Sequence, residues 1–294
     1  MPPSEFVLSL PSDYVPAYVL RHLGRDPKSP TEHVEGSIVT RALLLDGSPS
    51  RLEMELAGAA VRCRVEGSAG SAALREAQEV AHRLLGLAWD TAGFERHAEQ
   101  RGLGRLVEGR RGLRMPMTAD PFEGLVWVIV GQQVNLAFAY ALRRVVIELA
   151  GEDAGDGMRV HPTAEAVATL DYADLTRRQF SRRKAEYVID TARAVVSGEL
   201  PLEAMAGEPA TVVERRLLAV RGLGPWSAGY LLMRAYGFAD ALPVGDAGLT
   251  AALARFHALD HRPGPAETRT LMEPFSPFRT LAAFHLWTSL GDPA

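Results

Sequence analysis

The chain has 294 residues and a formal net charge of −4, and 47% of its residues are hydrophobic and 23% charged. This length allows two domains with a substantial apolar core. The single cysteine, Cys63, excludes a disulfide framework, a cysteine zinc site and a four-cysteine iron–sulfur cluster. No apolar run approaches the roughly 18 residues of a membrane helix, and the first residues lack the pattern of a secretion signal. We therefore expect a cytoplasmic protein with no membrane partner.

The distribution of charge matters more than its sum. A negative net charge counts against a protein that relies on nonspecific nucleic-acid binding. Two groups of basic residues nevertheless stand out, and each is equally compatible with a solvated face or with a binding surface. The first contains Arg101, Arg105, Arg110, Arg111 and Arg114, and the second contains Arg177, Arg178, Arg182, Arg183 and Lys184.

The first 88 residues have the pattern of an antiparallel sheet with helices. Ser12-Asp13 predicts the cap of a helix that runs to Leu23. Residues 37–45 favour β-structure, and residues 51–56 and 61–66 alternate polar with apolar side chains, as half-buried strands do. Residues 46–49 indicate a turn, residues 67–70 end the strands, and residues 71–86 have helical periodicity.

From Trp89 onward the pattern is helical, with short Gly, Pro and Asp breaks and no convincing strand. Residues 121–150 are apolar nearly all round, which predicts a buried central helix pair. Residues 151–157 predict a polar loop, and His161-Pro162-Thr163 begins the next helix.

The segment Val220-Arg221-Gly222-Leu223-Gly224-Pro225 predicts a tight turn between two helices. Two glycines allow positive φ and a close approach by another backbone, Leu223 can pin the turn, and Pro225 suits the first turn of the second helix. The amides at that helix start favour an anion such as phosphate. A helix–helix turn with no ligand would carry the same Gly-x-Gly, so this motif alone decides nothing.

Asp246 follows the second glycine by 22 residues (246 − 224), where the sequence predicts another helix start. Aspartate is among the best N-cap residues, and a carboxylate at such a position can also face a cleft. Both roles stay open for this residue on its own.

Taken together, the Gly-Leu-Gly turn, the helix behind it and the Pro-x-x-Asp at this spacing resemble the helix–hairpin–helix DNA glycosylases. Within them, the chain resembles the 3-methyladenine DNA glycosylase II (AlkA) type. The resemblance is strong over about residues 112–290 and weak over the first 88. Its further motifs are Gly112-Leu113-Arg114-Met115-Pro116, Asp120-Pro121-Phe122-Glu123, Ile129-Val130-Gly131-Gln132-Gln133-Val134, Pro162-Thr163, Pro277-Phe278-Arg279 and His285-Leu286-Trp287.

The resemblance implies an α+β fold. An N-terminal antiparallel α/β domain of the TBP-like kind precedes an all-helical body of two subdomains with a cleft between them. The expected divisions are 1–88 for the first domain, 89–119 with 239–294 for one helical subdomain, and 120–238 for the subdomain that contains the hairpin.

The resemblance also assigns parts of a DNA grip. The amides of Gly222 and Gly224, with Leu223 between them, would hold phosphate. Gln133, with Gln132 beside it, would contact DNA and fill the gap left by a flipped base, although the AlkA type has leucine at the position of Gln133. A structural Na⁺ at the hairpin would bind the backbone carbonyls of Leu218, Val220 and Leu223, and no other cofactor is expected.

The implied base pocket is aromatic, because a cationic alkylated purine gains from an aromatic face. Trp226 and Tyr230, four residues apart on one helix face, are the main candidates, with Phe278 and Trp127 as further ones. Trp287 is assigned to core packing. Since Ala247 follows Asp246 and Phe278 stands where a larger aromatic is expected, we predict a wider cleft than is usual in the family.

Asp246 would stabilise the developing sugar cation and orient or deprotonate water. Trp226 stands where bifunctional relatives carry a lysine nucleophile. We therefore expect a monofunctional, monomeric enzyme that removes alkylated bases such as 3-methyladenine and 7-methylguanine from double-stranded DNA in a bacterial cytoplasm. The alternatives are a non-catalytic helix–hairpin–helix DNA-binding protein, or a glycosylase for hypoxanthine, ethenoadenine or uracil; the missing lysine disfavours an oxidised-guanine enzyme.

Overall fold

The computed structural model describes residues 4–68 and 70–291. The first three residues, part of the expected strand end at 67–70 (Ala69) and the end of the expected last subdomain lie outside this range. Among the described residues, an N-terminal sheet with helices is followed by a helical body, which confirms the predicted α+β class.

The N-terminal sheet is antiparallel throughout, with strand order β1-β5-β4-β3-β2. Its strands are β1 (Ser4–Ser9), β2 (Glu32–Glu35), β3 (Ile38–Leu45), β4 (Ser48–Ala57) and β5 (Ala60–Glu66), and its helices are α1 (Pro16–Leu23) and α2 (Ser71–Leu84). Alternate residues of β4 are buried, and Leu52 and Met54 lie opposite Val65 and Cys63 of β5. The period-2 pattern of the sequence therefore marks the face that forms the core.

The helical body consists of helices joined by short turns, together with one small hairpin. Its elements are α3 (Thr91–Gln100), α4 (Pro121–Gly131), α5 (Leu136–Ala150), β6 (Asp153–Gly155), β7 (Met158–Arg159), α6 (Ala164–Ala168), α7 (Tyr172–Thr176), α8 (Arg182–Val196), α9 (Ala210–Ala219), α10 (Pro225–Arg234), α11 (Ala247–His257), α12 (Pro265–Met272) and α13 (Arg279–Ser289). Helix α4 is buried nearly all round as predicted, but α5 buries only one face, so the expectation of a buried helix pair is wrong for α5.

Two further sequence expectations are wrong. Strand β6 lies within the loop expected at 151–157 and pairs with β7 just beyond it, where Met158 packs with Ala42 of the sheet. Asp13 does not cap α1, which begins after Val15 without a side-chain cap. Asp13 instead accepts hydrogen bonds from Thr91 at 2.5 Å and from Arg114 at 2.8 Å. The local pattern assigned the Asp13 carboxylate to the helix start, but it binds the distant Arg114 instead.

The described part of the chain has two large apolar cores, which divide near the predicted boundary at residue 88 except that Ala119 belongs to the first core. The first contains Leu85, and the second begins at Trp89 and extends to Leu286. The second core runs through both parts of the helical body, so their separation into two subdomains stays a prediction.

A closed ring of buried ion pairs joins the sheet to the helical body. Arg41 of β3 binds Glu32 at 2.7 Å and Glu123 of α4 at 2.6 Å. Arg143 of α5 binds Glu123 at 2.7 Å and Glu32 at 3.4 Å. Burial alone would raise the pKa of Glu123, but the two guanidinium groups hold it well below its usual range. Since both glutamates contact both arginines, removal of any member leaves a buried charge without a full set of partners.

Candidate active site

The hairpin between α9 and α10 depends on one of its two glycines for its backbone shape. Gly222 has φ +96°, and a Cβ there would lie 2.7 Å from ring atoms of Tyr187. Gly224 has φ −111°, which is extended backbone, and a Cβ there would meet nothing within 4 Å. Both glycines could adopt positive φ, and only Gly222 does so. The missing side chain of Gly224 leaves open space in front of the start of α10 instead.

Gln132 fastens this hairpin to the end of α4. Its Nε2 donates to the Gly222 carbonyl at 2.8 Å and to the Ser227 hydroxyl at 3.2 Å. The neighbouring Gln133 is exposed and has φ +55°, in the turn between α4 and α5. Of the two glutamines, Gln132 is thus a support for the hairpin, whereas Gln133 is free to meet an external partner.

The carbonyls assigned to a cation belong to the last turn of α9 and to the hairpin. Leu223 is buried, as expected of a residue that pins the turn, and its amide donates to the Val220 carbonyl at 3.1 Å. A carbonyl has two lone pairs, so Val220 retains one. Within residues 4–68 and 70–291 no cluster of three metal-ligating side chains occurs. Neutral oxygens of this kind suit a hard cation, so the donor set fits Na⁺.

Asp246 is the N-cap of α11 and accepts three hydrogen bonds. Its Oδ1 accepts from the Leu249 amide at 2.6 Å and from Trp287 Nε1 at 2.8 Å, and its Oδ2 accepts from Trp226 Nε1 at 2.8 Å. The capping role and the cleft-facing role, left open by the sequence, are thus combined in one carboxylate. The assignment of Trp287 to core packing alone is wrong, because its indole is one of the groups that fix Asp246.

Backbone contact holds the loop that carries Asp246 against α10. A Cβ on Gly229 would lie 2.1 Å from the Leu242 carbonyl oxygen, so only glycine allows this approach. The Asp246 amide then donates to the Pro243 carbonyl at 3.1 Å, next to Gly245 with φ +89°. These two features place the carboxylate beside the indole of Trp226.

Aromatic side chains line the cleft next to Asp246. The Tyr230 ring lies 5.7 Å from Trp226 and 6.2 Å from Trp287, measured between ring centroids. Trp127 of α4 donates from Nε1 to the Tyr230 hydroxyl at 2.9 Å. Trp127, Trp226 and Tyr230 of the predicted pocket are therefore brought together. The cleft has a volume of about 1430 Å³.

Phe278 does not join this group. It precedes α13 and packs on Phe94 at 6.2 Å and on His97 at 5.6 Å, away from the cleft. The sequence missed that Trp287, nine residues further on, occupies the cleft instead. No local pattern distinguishes the two residues, because only the direction of α13 decides which one faces Asp246.

The two basic groups of the sequence have different positions. Arg114 is buried against Asp13, and Arg111 pairs with Glu95 at 3.1 Å, so these members of the first group stabilise the fold. In the second group, Arg183 and Lys184 at the start of α8 line the cleft near the hairpin. Lys184 Nζ donates to the Val130 carbonyl at 2.5 Å, and burial lowers the pKa of this amine. Lys184 thus lies at the cleft although it is distant from Trp226 along the chain, which sequence reasoning missed.

This combination of a glycine hairpin, a capped carboxylate and an aromatic cleft agrees with the family comparison. Residues 126–277, just over half of the chain, match the HhH-GPD superfamily of base excision DNA repair proteins. The chain belongs to that superfamily. Among the described residues, no helix is long and apolar enough to cross a membrane.

Curated relatives include glycosylases from two bacteria. The chain is 36% identical over 182 residues to a DNA-3-methyladenine glycosylase of Bacillus subtilis, covering 61% of this chain and 60% of the relative. It is 31% identical over 191 residues to DNA-3-methyladenine glycosylase 2 of Escherichia coli, covering 64% of each. The matched region thus spans less than two thirds of these relatives.

Solved structures agree with the fold. A 3-methyladenine DNA-glycosylase from Archaeoglobus fulgidus aligns with a TM-score of 0.85 at 21% identity, covering 97% of this chain and 98% of that one. A Schizosaccharomyces pombe 3-methyladenine DNA glycosylase in complex with abasic DNA aligns with a TM-score of 0.60 at 26% identity, covering 67% of this chain and 96% of that one. The first likeness extends to the N-terminal domain, and the second omits about a third of this chain.

Proposed function

We propose that the protein is a monofunctional DNA glycosylase that hydrolyses the N-glycosidic bond of alkylated bases, such as 3-methyladenine and 7-methylguanine, and leaves an abasic site. One observation carries the proposal: Asp246 is fixed by two indoles at the edge of an aromatic cleft, beside a glycine hairpin. The superfamily and the names of the bacterial relatives support it.

The chemistry follows from what the carboxylate faces. A damaged nucleotide must leave the duplex to reach the cleft, at a cost of a few kcal/mol. The hairpin amides near Gly222 and Gly224 would hold the backbone, and Gln133 would occupy the gap in the stack. Asp246 would then stabilise the positive charge that develops on the sugar and orient the attacking water. A cationic base needs little help to leave, because it departs as a neutral molecule.

We infer that no covalent enzyme–DNA intermediate forms. Trp226 cannot act as an amine nucleophile, and the ammonium of Lys184 is bound to a backbone carbonyl. Borohydride treatment during the reaction should therefore trap no adduct, and a trapped adduct lost in Lys184→Met would refute monofunctional action. A Na⁺ ion on the carbonyls of Leu218, Val220 and Leu223 would brace the hairpin. DNA affinity should then fall when tetramethylammonium replaces Na⁺ at constant ionic strength.

The decisive experiment measures free bases released from duplexes that carry 3-methyladenine, 7-methylguanine, ethenoadenine, hypoxanthine or uracil. We expect release of the methylated bases by the wild type as a monomer, and a loss of 10²-fold or more in Asp246→Asn. Asp90→Asn is the matched control, since Asp90 caps α3 through the Gly93 amide at 2.8 Å but lies outside the cleft. Equal release by the wild type and Asp246→Asn would instead support the non-catalytic DNA-binding alternative.

A further inference from the structure

The hydrogen bond between Trp127 and Tyr230 fixes the direction in which the Tyr230 hydroxyl can donate. An indole nitrogen is a donor only, so at 2.9 Å the Tyr230 oxygen must accept from Trp127. The hydroxyl hydrogen therefore points away from Trp127. Within residues 4–68 and 70–291 no side chain or carbonyl accepts it. Tyr230 is half-buried and lines the cleft, so its donor is available to a molecule in the cleft.

Tyr230 lies next to the residues that surround Asp246. It is one helical turn beyond Trp226, whose indole binds Asp246, and its ring also neighbours that of Trp287. A nucleotide with its sugar at Asp246 would thus place its base along the Tyr230 side chain. One turn further, the guanidinium carbon of Arg234 lies 5.9 Å from the Tyr230 ring centroid. Arg234 has no carboxylate partner within 4 Å in the described part of the chain and donates to His22 at 2.8 Å.

We infer that, among the bases the enzyme removes, Trp127 and Tyr230 together favour purines that carry an oxygen at C6 over those that carry an amino group there. This inference rests on the proposed glycosylase function and adds a substrate preference to it. Tyr230 is the residue that touches the base, and Trp127 is a positioning residue that holds the hydroxyl as a donor. A 6-oxo group can accept from this hydroxyl, whereas a 6-amino group is a donor and could pair only with an oxygen that already accepts from Trp127. The positive charge of Arg234 also favours a 6-oxo group over a 6-amino group, because the oxygen carries a partial negative charge.

The matched substrates are 7-methylguanine and 7-methyladenine, because both carry the same cationic N7-methyl group. DNA treated with dimethyl sulfate contains both bases, and mass spectrometry of the released bases gives their excision ratio in one tube, normalised to their content in the DNA. We expect the wild type to favour 7-methylguanine. Trp127→Phe keeps a ring but frees the Tyr230 hydroxyl to accept, so the ratio should fall about tenfold.

Two further variants separate selection from a general structural effect. Tyr230→Phe removes the hydroxyl and should lower the ratio by a similar factor. Adding Trp127→Phe to Tyr230→Phe should change the ratio no further, because no hydroxyl is left to orient. Tyr236→Phe is the control, since the Tyr236 hydroxyl donates to the Leu202 carbonyl at 3.2 Å outside the cleft. Its ratio should equal that of the wild type.

The outcomes are distinguishable. If the wild type releases neither base, the proposed function fails and the inference fails with it. If both bases are released but the ratio is unchanged in Trp127→Phe and Tyr230→Phe, the glycosylase proposal stands and the selection by this pair is refuted. Should Trp127→Phe fail to fold, the loss of one oxygen in Tyr230→Phe still decides the matter.

Discussion

Trp287 donates its indole hydrogen to Oδ1 of Asp246 at 2.8 Å, across 41 positions of the chain. Together with Trp226 on Oδ2, it leaves the carboxylate no freedom to rotate. Oδ2 keeps one lone pair that no described residue uses, and Asp246 lines the cleft. The orientation of the candidate catalytic group is thus shared between two helices, α10 and α13, and is not a property of its own loop.

Trp287→Phe should lower the rate of base release about tenfold with little change in DNA affinity, because it removes one hydrogen bond that orients Asp246. Single-turnover kinetics would measure this rate. The control is Trp89→Phe, whose indole donates to the Met115 carbonyl at 2.7 Å outside the cleft. That variant should lose stability but keep the rate. Wild-type kinetics in Trp287→Phe would show that Trp226 alone orients the carboxylate.

Gly222→Ala should destabilise the protein by about 1–3 kcal/mol, because the new Cβ would meet the Tyr187 ring and the backbone has positive φ. Urea unfolding followed by circular dichroism measures this loss. The substitution should also weaken DNA binding, since it displaces the hairpin. A stability within 0.3 kcal/mol of the wild type, on the scale of ordinary surface changes, would contradict this account.

Gly224→Ala should weaken DNA binding without destabilising the protein. Its extended backbone accepts alanine and the Cβ would meet no protein atom, so the free energy of unfolding should change by less than about 0.5 kcal/mol. The methyl group would instead stand where a DNA phosphate approaches, and the dissociation constant for duplex DNA should rise several-fold. Fluorescence anisotropy on an abasic duplex tests this, and unchanged affinity would place the phosphate elsewhere.

Arg41→Met should cost about 3–5 kcal/mol, because it leaves the buried Glu123 without one of its cations. The exposed pair of Arg182 with Glu186, at 3.1 Å, provides the comparison. Arg182→Met should cost no more than about 0.5 kcal/mol, since water screens that pair. If both variants unfold at the same urea concentration, the buried ring has no special role in stability.

Stability should fall on acidification because of buried histidines. Burial lowers the pKa of His161 and of His285 from 6.5 to about 3. Between these values the unfolded chain binds protons that the folded chain does not, so folding free energy is lost as pH falls below about 6.5. His161→Gln should reduce the slope of unfolding free energy against pH by about 1.4 kcal/mol per unit near pH 5. Identical slopes in the two proteins would contradict the assignment.

Short-range patterns predicted the parts of the fold that local chemistry decides. Strands β4 and β5 follow from alternation, β3 follows from its β-favouring residues, and α10 begins at Pro225 as expected. Asp13 failed as a helix cap because Arg114, 101 residues away, offers a charged partner that the local sequence does not contain. The β6–β7 hairpin was missed because its strands are too short for a period to appear, and contact with the sheet stabilises it.

The residues of the candidate site likewise fall into those that local sequence predicts and those that depend on distant contacts. Asp246, Trp226 and Tyr230 could be named from spacing and resemblance, since one helix and one loop carry them. Trp287, the support given by Gln132 and the position of Lys184 could not, because each depends on how a distant helix is directed. The ring of Arg41, Glu32, Glu123 and Arg143 shows no pattern in the sequence, as its members belong to four separate elements or loops.

That ring also bears on how the chain unfolds. The N-terminal sheet and the helical body have separate apolar cores, and domains of this kind commonly melt in separate transitions. Separating the N-terminal sheet from the helical body would expose two arginines and two glutamates that pair across the contact between them. We therefore expect the two cores to unfold as one cooperative unit, and calorimetry should record a single heat-absorption peak. A destabilising substitution in the sheet would then lower DNA binding by reducing the amount of folded protein.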